Sequence, residues 1–163
     1  MRDILTIHDE ALVIRAARYG DVETIVKLGK LFFDEAEWSD VTTWDDESIR
    51  VTLHNLIESD DGILLVCSSE NKIIGMAGGL VHPAYFNRNH KTGQELFWWI
   101  DPAHRGGVGG KLLDRLEAEA KKRGAQSWSM ISLAKVRPEA VGRLYERRGY
   151  RASEHTYIKA LGA

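Results

Sequence analysis

Cysteine is nearly absent from this chain, Cys67 being the only one in 163 residues. One thiol cannot close an internal disulfide and offers no cluster for zinc, so disulfide scaffolds and zinc modules are excluded. Cys67 lies in the apolar run GILLVCSS, where a free cysteine behaves as a small buried hydrophobe, with a reactive thiol as the lesser alternative. Neither charge sign is in excess: Lys+Arg total 22 and Asp+Glu 24, a formal net charge of −2. Nothing therefore draws the chain to a nucleic-acid backbone. No apolar run approaches the ~18 residues of a membrane span. The opening MRDILTIHDEA carries Asp3, His8, Asp9 and Glu10 where a signal peptide needs an unbroken apolar core. A cytoplasmic protein with no membrane partner is expected. Proline is scarce as well, at three residues, and no linker, repeat or low-complexity stretch divides the sequence. Residues 1–163 read as one domain, long enough to bury a core.

What is present is an alternation of strand and helix patterns in a chain of ordinary globular composition, 44% hydrophobic and 28% charged. ALVIRAA is a strand candidate. RYGDVETIVKLGKLFFDEA follows as a helix that Asp21 can cap, with Val22, Ile25, Val26 and Phe33 at helical spacing. WDDESIRVTLHNLIES is a second helix, with Ile49, Leu53, Leu56 and Ile57 on one stripe and acids in its first turn. GILLVCSS, ENKI and IGMAGGLVH read as strand, turn and strand. PAYFNRNHKTG reads as a polar loop with Arg88, His90 and Lys91, and QELFWWI as an aromatic-rich strand. A third helix carries Val108, Leu112, Leu116 and Ala120 on one face and stops at Gly124. QSWSMISL alternates as a strand. RPEAVGRLYERRG is a helix with Pro138 near its start and Gly149 at its end. YRASEHTYIKAL closes as one or two short strands. The order describes a mixed α/β sheet.

The densest glycine cluster, HRGGVGGKLL, falls where the aromatic strand gives way to the third helix. A glycine-rich turn opening a helix presents backbone N–H groups unscreened by side chains, and the helix dipole adds about half a positive charge there. Phosphate is the usual occupant of such a site. Two phosphate loops fail on residues. A Walker A loop around Gly110 and Lys111 needs glycine at 105 and a hydroxyl at 112, where the chain has Arg105 and Leu112. A dinucleotide fingerprint begun at Gly107 places its third glycine on Leu112. On these residues alone, a tight turn with no ligand stays open.

The stretch resembles the acyl-CoA pyrophosphate loop of the GNAT acetyltransferase family, Gln/Arg-x-x-Gly-x-Gly/Ala, with Gly107 and Gly109 at the two small positions. The preceding WWIDP is similar to the end of that family's fourth strand. AVGRLYERRGY resembles its late helix and Leu-Tyr-x-x-x-Gly-Phe/Tyr signature. The order of elements matches over nearly the whole chain. One departure stands out: His104 occupies the Gln/Arg position and Arg105 follows it, while shifting Arg105 into place would put Val108 on a glycine position.

The resemblance implies a GNAT-like fold, a mixed and mostly antiparallel central sheet flanked by about four helices. It implies acetyl-CoA as cosubstrate, no metal, and direct transfer of the acetyl group to a primary amine of a small-molecule or peptide acceptor in a ternary complex. It assigns the pyrophosphate to His104, Arg105, Gly106, Gly107, Val108, Gly109, Gly110 and Lys111, and the pantetheine arm and thioester oxygen to Trp98, Trp99 and Ile100. Tyr145 becomes the acid that protonates the departing thiolate. Glu95 is the candidate base, with an ordered water or a merely solvated carboxylate as alternatives, and His82 and His104 are lesser candidates. Trp98 and Trp99 must point to opposite faces of their strand, either one into the core and the other walling the pocket, or both serving as core. FFDEAEWSD, with Asp34, Glu35, Glu37 and Trp38, is either an acceptor-facing region or a solvated helix end. A catalytically silent acyl-CoA-binding or interaction module is the alternative function, and a homodimer through an edge strand is compatible with the pattern.

Overall fold

The sheet grows in chain order. β1 (Leu12–Ala16), β2 (Gly62–Ser69), β3 (Lys72–Ala84), β4 (Asn87–Ile100) and β5 (Ser127–Ser129) lie side by side in that sequence. Neighbours are antiparallel except β4 and β5, which run parallel. α1 (Val22–Glu35) and α2 (Asp46–Glu58) separate β1 from β2, α3 (Val108–Lys122) connects β4 to β5, and α4 (Pro138–Arg147) follows β5. This computed structural model describes residues 12–162, so the reading of the stretch before Leu12 lies outside the described residues. Among them are the mostly antiparallel sheet and four α-helices of the expected α/β class, and no helix is long and apolar enough to cross a membrane.

The sheet has a core on each face. Ile25, Val26, Leu53 and Leu56 of α1 and α2 pack with Leu64, Val66, Met76, Phe97 and Trp99. Leu112, Leu116 and Ala120 of α3 pack with Ile63, Leu65, Cys67, Ala77, Val81 and Ile100. β2 supplies both cores in alternation, which is why its sequence is an unbroken apolar run rather than an alternating one. Cys67 is fully buried there, and burial pushes its thiol up to about 11. It is a core residue and not a nucleophile. The helix signals act in two ways. Asp45 caps α2 by accepting from the Ser48 N–H at 2.9 Å. Asp21 makes no side-chain cap to α1; its carboxylate accepts from the Arg18 N–H at 2.8 Å and pairs with Arg15 at 2.7 Å, stitching the β1–α1 turn.

Three expectations are corrected. The stretch expected as a polar loop, PAYFNRNHKTG, is mostly ladder: His82 pairs with Thr92 and Pro83 with Lys91. Antiparallel pairing carries two long strands past the core, and the turn shrinks to Tyr85 and Phe86, whose exposed rings stack at 3.9 Å. The strand expected over QSWSMISL stops at Ser129, because side chains take the next backbone groups. The Ile131 N–H donates to Glu95 at 2.8 Å and its carbonyl accepts from the Tyr145 hydroxyl at 2.7 Å, leaving neither for a ladder. The closing segment forms no strand: Tyr150 to Gly162 has no regular structure, with Tyr157, Ile158 and Leu161 exposed. A strand needs a partner edge, and β5 offers only three residues.

Trp128 of β5 packs against Gly79 and Gly93 of β3 and β4; a Cβ on Gly79 would sit 2.5 Å from the indole, and one on Gly93 would meet the same ring. These two glycines are the bed on which the indole rests.

Candidate active site

The parting of β4 from β5 makes the site. The two strands pair only at Thr92–Ser127, Gly93–Trp128 and Gln94–Ser129. From Glu95 to Ile100 no strand among the described residues pairs with that edge of β4. A cleft of about 410 Å³ opens there, walled by β4, the glycine turn, the segment after β5 and one face of α4. Bare strand edges of this kind can hold an extended polar chain through backbone hydrogen bonds.

A β-bulge aims Glu95. Gly78 pairs with Phe97 and the next residue, Gly79, pairs with Glu95, so Leu96 is the extra residue on β4. Strand side chains alternate faces, and one inserted residue reverses the alternation. Glu95 thereby parts from Phe97 and Trp99, which enter the α1–α2 core, and it lines the cleft instead. It is 5% exposed. Burial raises its pKa to about 7, with the Ile131 N–H acting in the opposite sense. A carboxyl poised near neutrality can accept a proton at physiological pH.

Tyr145 approaches from α4 and is 8% exposed. Burial, and then the nearby Glu95 charge, hold its phenol well above the ordinary value, so it stays protonated. Trp98 and Tyr150 flank its ring at 6.0 and 5.5 Å. Glu95 and Tyr145 thus bond the two backbone groups of one residue, Ile131, from separate elements.

The glycine turn leaves its backbone open toward the cleft. Gly106 and Gly107 have φ of +122° and +101°, in the region that favours glycine, and a Cβ on either would meet nothing within 4 Å. Gly107 is the N-cap of α3 and no side chain caps the first turn, so the N–H groups that begin the helix lack an intrahelical partner. The Arg148 guanidinium leans on Gly110 and is held by Asp114 at 3.0 Å. Arg147 and Arg148 both line the cleft, placing cations beside the helix N-terminus. In sequence they are only two arginines just after Tyr145, since only the fold brings the end of α4 onto α3.

The expected cofactor residues divide. Trp98, Trp99, Ile100, Arg105, Gly106, Gly107, Gly109 and Gly110 line the main cleft. His104, Val108 and Lys111 line a smaller pocket behind the turn, which shares Gly106 and Gly107. His82 is exposed on the β3–β4 hairpin and its Nδ1 lies 3.1 Å from the Pro83 carbonyl. The two tryptophans separate as alternation requires. Trp99 is in the α1–α2 core, while Trp98 packs toward α3 and donates to the Gly109 carbonyl at 3.0 Å. Its indole props up the turn from below.

Arg105 is a structural clamp. Its guanidinium donates to the Ile100 carbonyl at 2.9 Å and to Glu35 Oε2 at 2.8 Å, and the same oxygen accepts from Trp99 Nε1 at 2.7 Å. The Arg105 hydrogen bond holds the Glu35 carboxyl below its usual range, against the effect of burial. Glu35 therefore ties the end of α1 to the glycine turn across 70 residues, and is neither a solvated helix end nor a free anion. Glu35→Ala is expected to cost about 2 kcal/mol, chiefly through the indole N–H left without an acceptor. It should also raise the acetyl-CoA KM if the turn is loosened. Urea unfolding and initial-rate kinetics check the two effects.

Among the described residues no group of three His, Cys, Asp or Glu side chains is placed to hold a metal ion. No curated protein matches the chain. Solved structures do. A predicted acetyltransferase with acetyl-CoA from Clostridium acetobutylicum superposes with a TM-score of 0.71 at 21% identity, covering 92% of this chain and 96% of that one. An aminoglycoside acetyltransferase from an uncultured soil metagenomic sample gives 0.67 at 20%, covering 95% and 97%. The ribosomal-protein-alanine N-acetyltransferase of Brucella melitensis biovar Abortus 2308 gives 0.69 at 17%, covering 93% and 99%. At such identities the likeness speaks for the fold. The sequence itself matches the model of the acetyltransferase (GNAT) family over residues 28–150, and with three quarters of its length inside that match the chain belongs to the GNAT acetyltransferases.

Proposed function

We propose that the protein transfers the acetyl group of acetyl-CoA directly to a primary amine held in the same cleft. The observation that carries this reading is the meeting of Glu95 and Tyr145 on Ile131 beside the unpaired edge of β4. The cleft fits a long anionic thioester: glycine N–H groups and Arg147 and Arg148 at one end, and the bare strand edge from Glu95 to Ile100 along its floor.

Each residue then has a task. The Glu95 carboxylate takes the proton an incoming ammonium must lose, so that a neutral amine meets the thioester carbonyl. A β4 backbone N–H at Trp99 or Ile100 donates to the oxygen that becomes negative. The N–C bond forms, the C–S bond breaks, and the sulfur leaves toward the Tyr145 hydroxyl. A phenol held above its ordinary pKa is a weaker acid than a thiol, so Tyr145 acts first as a hydrogen-bond donor to the developing thiolate. To do so it turns from the Ile131 carbonyl. The second N–H proton of the adduct passes through the Tyr145 hydroxyl to the sulfur, so the products are the amide and the free thiol of CoA, with the ammonium's first proton on Glu95. No cysteine is placed to carry an acyl intermediate, Cys67 being sealed in the core.

Tyr145→Phe is the test. It is expected to lower kcat at least 10-fold while the acetyl-CoA Kd, read by calorimetry, changes less than about 3-fold. Melting curves guard against a merely structural effect from the lost bond to Ile131. Unchanged kcat would remove Tyr145 from the mechanism. Tight acetyl-CoA binding with no thiol release for any amine would favour the silent acyl-CoA module instead.

A further inference from the structure

Most charges around the cleft are spent within the protein. At the end of α1, Asp34 holds Lys30 at 2.5 Å, Glu37 holds Lys135 at 3.0 Å and Glu35 holds Arg105 at 2.8 Å. At the anion end Asp114 holds Arg148. A polycationic acceptor would need several free carboxylates here, and these are already neutralised.

Two cleft-lining arginines, Arg147 at the end of α4 and Arg137 at its start, have no hydrogen bond or ion pair among the described residues, and of the two it is Arg137 whose position is unusual. Its backbone is in the left-handed region, φ 45° and ψ 51°, at the N-cap of α4. That conformation is costly for any residue with a Cβ. It is doubly so before Pro138, since a following proline drives a residue toward extended geometry. Strain at such a residue persists where the surroundings impose it, and it clusters at ligand clamps. Position supports the same view. Ala140, Val141 and Leu144 continue the cleft-lining face of α4 to Arg147, and ten residues at about 1.5 Å each put Arg137 roughly 15 Å from Arg147. Arg137 is therefore at the opposite end from the anion cradle, where Phe32, Leu133 and Val136 form apolar walls.

We infer that the acceptor is an amine that itself carries a carboxylate on an apolar body, and that Arg137 is the residue that binds this carboxylate. The inference rests on reading the cleft as an acetyl-transfer site and deepens it. A lone guanidinium fork matches the two oxygens of a carboxylate, and the positive N-terminal end of α4 lies beside it. The amine of the same molecule is then free to reach Glu95.

The test uses matched acceptors in a thiol-release assay at saturating acetyl-CoA: phenylalanine against phenethylamine, leucine against 3-methylbutylamine, with spermidine and kanamycin alongside. The amino acids are expected to exceed their decarboxylated partners in kcat/KM by at least 10-fold, and spermidine and kanamycin to trail both. In Arg137→Ala that ratio should collapse to about 1 through the KM of the acid, while the acetyl-CoA KM stays within about 2-fold. Arg137→Gly, which suits the left-handed backbone, should fold at least as stably and lose the same preference, an outcome a merely structural arginine would not produce. Equal rates for acid and decarboxylated amine in the unaltered protein, or a shift confined to the acetyl-CoA KM in the variants, overturn the inference. Acetyl-CoA binding without thiol release for any amine overturns the acetyl-transfer reading, and the inference with it.

Discussion

Glu95→Gln is expected to lower kcat/KM at pH 8 by about 100-fold and, in the same molecule, to make the protein more stable. Both effects follow from burial. A carboxyl that ionises at about 7 in the fold, against an ordinary 4.5, is one the native state keeps protonated more firmly than the unfolded chain does. Between those two values the native state binds more protons than the unfolded one, so stability falls as pH rises through the window. The stabilisation is complete below about 4.5 and gone above about 7. The difference is on the order of 3 kcal/mol. Glutamine keeps an acceptor for the Ile131 N–H but never ionises. Urea midpoints of the variant should therefore be nearly flat from pH 5 to 8, while those of the parent decline. Rates move the other way: the parent's kcat/KM should climb with an apparent pKa near 7, and the variant should lack that rise. A parent whose unfolding midpoint ignores pH across this range would show that Glu95 is not the buried proton-holder described above.

The second large effect lies outside the chemistry. Gly93→Val should cost about 3 kcal/mol, a fall in Tm of roughly 6–12 °C for a chain of this size. Its side chain would enter the space of the Trp128 indole, which cannot retreat without taking β5 from β4. Three residue pairs hold that junction, and it is the point from which the cleft opens. Trp128→Ala should be destabilising alone, yet it should recover part of the loss when combined with Gly93→Val, because the clash then has no second partner. Additive losses in the double variant would place the cost of Gly93→Val elsewhere.

Much of this architecture can be read along the chain. The stripe of Ile49, Leu53, Leu56 and Ile57 places α2 and its buried face. Val108, Leu112, Leu116 and Ala120 do the same for α3, and Gly124 ends it with a positive φ. These are local signals, each complete within a few turns of helix. The glycine turn is legible for the same reason, since the need for left-handed backbone at Gly106 and Gly107 arises where they stand.

What was not legible depends on residues far apart in sequence. Only the fold shows the Arg105 guanidinium donating to Glu35, 70 residues away, and to the Ile100 carbonyl. The strand pattern of QSWSMISL breaks off because Glu95 and Tyr145 claim the backbone of Ile131. The closing YRASEHTYIKAL has strand-like residues but no edge to join. Arg137 carries no mark at all beyond the proline after it; its strained backbone and empty hand are properties of the folded cleft.

By itself, then, the amino-acid sequence determined the helices, the doubly buried strand, the glycine turn and, through its motifs, the family, because periodicity and backbone freedom act between neighbours. Only the tertiary structure decided where Glu95 points, what Arg105 holds and which cations are left for a ligand. Leu96 shows why: one extra residue in a ladder reverses the faces of the residues beyond it, and where that extra residue falls is settled by pairing across strands, which a single strand cannot record.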